Sequence, residues 1–63
     1  MKVNGEEKNL TGISVKKMLV ELNFDETKVV VERNMEIVPK SAYETTFISE
    51  ADELEVVSFV GGG

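Results

Sequence analysis

Residues 53–63 read ELEVVSFVGGG, and the alternation inside this stretch decides how the chain is layered. Consecutive side chains of a strand point to opposite faces of a sheet. Leu54 and Val56 therefore share one face, while Val57 and Phe59 share the other with Glu53 and Glu55. If Leu54 and Val56 pack beneath a helix, Val57 and Phe59 look out of a face that no helix covers. Such an apolar pair marks an interaction site, unless polar neighbours or a short helix elsewhere in the chain bury it; the sequence leaves both readings open. The three glycines that follow, Gly61, Gly62 and Gly63, have no side chain to pack and are costly to order. They need a reason of their own.

The segments upstream supply the rest of that layer. KSAYETTFISEAD (residues 40–52) reads as a one-turn helix and a connection, with Tyr43, Phe47 and Ile48 pinning it to the core. EIVP (36–39) is a short extended piece that Pro39 marks as an edge or an ending, because proline cannot donate to a ladder. KVVVERN (28–34) is β-branched and bounded by polar residues, which predicts a strand, buried on both faces along part of its length. TGISVKKMLVELNF (11–24) places Val15, Met18, Leu19 and Leu22 at the spacing of one helical face, with Ser14 as N-cap, Lys16, Lys17 and Glu21 on the wet side, and an end near Asn23. MKV and EEKNL flank Asn4-Gly5, a pair suited to a type I′ hairpin turn. The order β-β-α-β-β-(short helix)-β predicts an α+β fold: one mixed sheet with one long helix packed on one face and a C-terminal glycine tail.

Sixty-three residues make a single domain (1–63) with a small core, and the chain contains neither Cys nor His. That removes thiolate nucleophiles, imidazole bases, Cys/His zinc sites and disulfides in one step. The net charge of −5 argues against nucleic acid, whose binders set Lys and Arg on phosphates. The acidic excess reads either as keeping a small protein soluble or as favouring a basic partner. With no signal peptide and no apolar run long enough for a bilayer, the sequence points to a cytoplasmic protein with no membrane contact.

The carboxylates do not assemble an active site on paper. Glu6 with Glu7, or Asp52 with Glu53, are neighbours that a strand sends to opposite faces, so they read as solvated charges rather than an acid/base pair. Tyr43 reads as a packing residue and Arg33 as a surface one. The glycine run is no phosphate loop either, since it lacks a following helix and the P-loop lysine. What remains reactive is the α-carboxylate of Gly63, with a reference pKa of about 3.5. Gly61 and Gly62 suit threading, because a chain without Cβ atoms fits a narrow channel and leaves the tip unhindered. A frayed end is the plainer alternative.

The residues together carry a specific resemblance. NG in the first hairpin, SVKKMLVEL, VVVERN, IVPK followed by Tyr43, and DELEVVSFVGGG resemble, over essentially the whole chain, the ThiS family of ubiquitin-like sulfur carriers in thiamin biosynthesis. The family's Gly-Gly falls on Gly62 and Gly63, its Val-x-x-Asn strand end on Val31 to Asn34, and its Val-Pro-basic stretch on Val38, Pro39 and Lys40. Two departures stand out: EAD (50–52) replaces the turn often written Asp-Gly-Asp, and Gly61 adds a third glycine.

The resemblance implies a β-grasp fold and a role as protein co-substrate rather than enzyme, with no cofactor or metal bound to the chain. A ThiF-like adenylating enzyme would use ATP and magnesium to activate Gly63, with Val57 and Phe59 as its docking residues. Sulfur from a persulfide donor, supplied by a cysteine desulfurase, would then give a C-terminal thiocarboxylate for thiazole synthase. Alternatives are a molybdopterin-type or other sulfur carrier, and a plain interaction module.

Overall fold

The computed structural model describes residues 1–59, so the tail assigned to Gly61, Gly62 and Gly63 lies outside the described residues, as does Val60. The elements follow the predicted order. Strands β1 (Lys2–Val3) and β2 (Glu6–Glu7) form the hairpin, helix α1 spans Val15–Glu21, and β3 (Val29–Arg33), β4 (Glu36–Val38) and β5 (Glu53–Ser58) complete the set. Single 3-10 turns cover Glu26–Lys28 and Lys40–Ala42. The sheet runs β2-β1-β5-β3-β4, with β5 parallel to β1 and antiparallel to β3. The last strand is thus central, and the chain passes beyond Ser58 from the middle of the sheet.

Local chemistry explains each boundary. Asn4 and Gly5 sit at φ 52° and 82°, the positive pair that a type I′ turn requires and that Asn-Gly adopts at low cost. The Ser14 side chain accepts the Lys17 N–H at 3.1 Å and starts α1. Asn23, at φ 62°, carries the chain out of the helix in the left-handed region that asparagine tolerates. The helix has only seven residues, shorter than the amphipathic run that encodes it. The flanks use their apolar residues differently: Ile13, Leu22 and Phe24 pack against the core from irregular backbone. The β3–β4 turn places Asn34 and Met35 at φ 52° and 72°. Met35 there is 88% exposed and has neither a glycine's freedom nor an asparagine's local bonding.

The core lies between α1 and one face of the sheet. Val15, Met18 and Leu19 from the helix meet Val29, Val31, Leu54 and Val56 from the central strands, all essentially sealed from solvent. Tyr43 and Ile48 join this core, as expected. Phe47 does not join them: it is exposed, because its backbone bridges to Ser14 and the residue after it, Ile48, takes the inward position. Nor is β3 buried on both faces. Val29 and Val31 face the core, but Val30 looks outward, since one helix covers one side only.

Asp52, read as a solvated charge, proves to be a buried anchor that holds the half-exposed Arg33. Asp52 is 5% exposed and accepts three hydrogen bonds: from Ser49 N–H at 2.8 Å, Arg33 Nε at 3.0 Å and Asn34 Nδ2 at 3.0 Å. Arg33 is accordingly not a free surface residue. The Asn34 side chain also accepts the Glu53 N–H at 3.0 Å, so the network ties the start of β5 to the end of β3. Burial alone would raise the Asp52 pKa, but the Ser49, Asn34 and Arg33 donors outweigh it and hold the carboxyl below its ordinary value. A depressed folded pKa contributes stability above the unfolded value, near 3.9, that is lost as pH falls through the folded one. Asp52→Asn is therefore expected to cost about 1–3 kcal/mol at pH 7, where it weakens bonds to a charged acceptor, with a smaller gap to wild type at pH 3, below the unfolded value, than at pH 7. Urea unfolding at both pH values checks this; a gap that stays constant would mean the charge contributes nothing.

Candidate functional site

The uncovered face of the sheet is where the structure gathers groups without an internal use. Val57 is 60% exposed and Phe59 44%, so the alternation read from the last strand holds and neither residue is buried by its neighbours. Val57 lies opposite Val30 across the β3–β5 ladder, and Glu55 lies opposite Glu32, which in turn faces Ile37 on β4. Phe59, one residue past β5, is fixed by its N–H donating to the Lys28 carbonyl at 3.0 Å. Val30, Val57 and Phe59 form the apolar end of this face, next to the exit of the tail. Ile37 at 67% exposure extends it toward the β4 edge, and the carboxylates of Glu32 and Glu55 lie further from the exit.

Val30 and Ile37 were not singled out from sequence. The signal was present in the same alternation: Val30 falls between buried Val29 and Val31, and Ile37 precedes buried Val38. Reading VVV as a strand enclosed on both sides hid it. Asn4 does more than turn the hairpin: its side chain bonds both backbone groups of Val56, accepting the N–H at 2.8 Å and donating to the carbonyl at 3.1 Å.

The other polar groups of the described residues are occupied or dispersed. Glu6 pairs with Lys8 at 3.5 Å and Glu7 with the N-terminal amine at 3.8 Å, so the two carboxylates do not converge. Lys16 lies between Glu26 and Glu44, and Lys17 pairs with Glu21. Burial, with Glu26 nearby, pushes the Tyr43 phenol above its ordinary pKa, which unfits it as a base. Among the described residues no three acidic side chains stand close enough to hold a metal ion. No helix of these residues is long and apolar enough to cross a membrane. Gly61, Gly62 and Gly63 lie outside them.

The family model described as the ThiS family matches residues 1–63. The chain belongs to the ThiS family. The sulfur carrier protein ThiS of Bacillus subtilis is 35% identical over 66 residues, covering 100% of this chain and 98% of that protein. The crystal structure of the thiamine biosynthesis protein ThiS from Geobacter metallireducens superposes with a TM-score of 0.81 at 30% identity, over 98% of this chain and 96% of that one. The mixed sheet with its single helix is thus the β-grasp fold of ThiS. A thiazole synthase of Paramagnetospirillum magneticum is 50% identical over 62 residues, which are 97% of this chain. This ThiS-family chain spans 19% of the length of the thiazole synthases it matches.

Proposed function

We propose that this ThiS-family chain is a sulfur carrier whose working group is the Gly63 carboxylate. The reading rests chiefly on the match, end to end, to the sulfur carrier protein of Bacillus subtilis. A ThiF-like enzyme holding ATP and magnesium joins the carboxylate to AMP and releases pyrophosphate, turning a poor acyl electrophile into a good one. A persulfide on a partner cysteine, loaded by a cysteine desulfurase, attacks the carbonyl and displaces AMP. A second thiol then breaks the S–S bond, leaving the thiocarboxylate on Gly63 and a disulfide on the partner. The carried sulfur sits on the chain terminus, which accounts for a carrier without cysteine. The chain is consumed and regenerated as a co-substrate rather than acting as an enzyme.

Thiazole synthase is the acceptor this reading favours over molybdopterin, because the 50% identity is to part of such a synthase. Incubation with ATP, magnesium, a persulfide source and the ThiF-family enzyme of the same genome, followed by intact mass, tests the carrier step. Addition of thiazole synthase then tests the destination.

The exposed face at the tail exit is the surface on which the activating enzyme docks. Phe59→Asp is expected to weaken that binding by roughly tenfold to a hundredfold, as loss of an aromatic anchor does. Its stability should change by about 0.5 kcal/mol or less, because the side chain is not part of the core. Titration calorimetry and thermal unfolding measure the two effects. A variant that melts early and binds normally would reverse the assignment.

A further inference from the structure

The central strand carries an open rung beside the point where the tail begins. Along a strand, the N–H and C=O of one residue point to one side and those of the next point to the other. On β5 the odd-numbered residues turn toward β3: the Glu53 carbonyl accepts from Asn34 N–H at 2.8 Å, and Phe59 N–H donates to Lys28 at 3.0 Å. The even-numbered residues turn toward β1. Asn4 N–H donates to the Leu54 carbonyl at 2.9 Å, and the Asn4 side chain then serves both backbone groups of Val56. Ser58 is the next even position, and β1 has nothing left to offer it. That strand ends at Val3, and the chain turns away through Asn4 and Gly5. Ser58 is exposed, and among the described residues no strand lies along that side of it.

We infer that this edge, at Ser58, takes up an extended segment of the activating enzyme as an added strand. The enzyme's identity rests on the carrier reading; the edge itself does not. An arm of glycines offers no side chain to grip, so an enzyme that positions its tip must hold main-chain N–H and C=O groups. Strand addition supplies those contacts without regard to sequence. The two outer edges of the sheet are less suited. β2 has two residues, both glutamates, and β4 has three and stops at Pro39, devices that discourage pairing.

A groove of about 290 Å³ adds a preference for the segment. It is lined by Val3, Asn4, Leu22 and Phe24, with Glu6 and Lys8 completing it, and it shares Asn4 with the rung before Ser58. Side chains of an added strand alternate across the sheet. One set falls beside Val57 and Phe59, the other toward this groove, so the segment carries apolar side chains in both registers.

Amide exchange measured by NMR on the full chain, free and bound to the ThiF-family enzyme of its genome, tests this. In the free chain the Ser58 amide should exchange almost unprotected while those of Val57 and Phe59 are slow; on binding it should slow by at least about tenfold. A Ser58 amide that is protected in the free chain, or that does not slow on binding, overturns the inference. A synthetic chain N-methylated at Ser58 should unfold within a few degrees of wild type yet bind about tenfold more weakly. The same methyl at Val57 should lower the melting temperature, because that N–H faces β3. Undiminished binding by the Ser58-methylated chain overturns the inference equally. Both readouts score binding, not sulfur. Protection at Ser58 without any thiocarboxylate would refute the carrier reading alone, whereas sulfur transfer with Ser58 unprotected would refute strand addition alone.

Discussion

A chain extended by one residue past Gly63 should unfold at the wild-type temperature and yield neither pyrophosphate nor thiocarboxylate. Folding is spared because the core cluster is drawn from residues between Met1 and Val56, well before the tip. Activity is lost because the extension replaces the Gly63 carboxylate with an amide and moves the terminal carboxylate one residue on, away from the α-phosphorus of ATP. Gly62→Val should give the same pair of results by another route, adding a β-branched side chain and narrowing the accessible backbone angles where the arm has to pass. Four residues separate Phe59 from the end of the chain, a reach of at most about 14 Å. One misplaced link in so short an arm cannot be absorbed elsewhere. Pyrophosphate release and intact mass, measured beside a thermal melt, check both variants. Adenylation of either at the wild-type rate would contradict threading.

Leu19→Ala should instead act on the fold, and docking and adenylation should fall only as the folded fraction falls. Leu19 is 1% exposed and belongs, with Met18, to a core that a single two-turn helix covers. Truncating a buried leucine costs about 2–5 kcal/mol. A domain of this size has only about 3–9 kcal/mol in total, so the variant should melt roughly 10–30 °C lower or be unfolded at room temperature. Urea unfolding followed by circular dichroism measures the cost. A change below about 1 kcal/mol would place Leu19 outside the core.

Much of this was legible in the sequence because short-range rules act there almost unopposed. Asn4-Gly5 fixes a turn by backbone sterics, Ser14 caps by its own oxygen, and the alternation of Leu54, Val56, Val57 and Phe59 survives intact in the sheet. What escaped depends on partners distant in sequence. Asp52 looks like any exposed acid until Arg33, at the end of β3, and Asn34, in the turn after it, fold against it, and nothing local announces that network. The Asn4 clamp on Val56 joins residues 52 apart. Phe47 and Ile48 are both apolar, and only the backbone bridge to Ser14 decides which of them turns inward. Val30 was misread for a different reason: three successive valines satisfy both a half-buried and a fully buried strand, and the number of helices available to cover the sheet settles the choice. The candidate site was legible in its two named residues, Val57 and Phe59, while Val30 and Ile37 required the registers of β3 and β4.

The central claim is that the Gly63 carboxylate becomes a thiocarboxylate in an ATP-dependent step. Intact mass spectrometry of the chain, after incubation with ATP, magnesium, a persulfide source and its ThiF-family enzyme, addresses it most directly. The expected result is a mass gain equal to one oxygen replaced by one sulfur, located at Gly63 by fragmentation and absent when ATP is withheld. An unchanged mass alongside demonstrated binding of the enzyme, or sulfur found on any other residue, would contradict it.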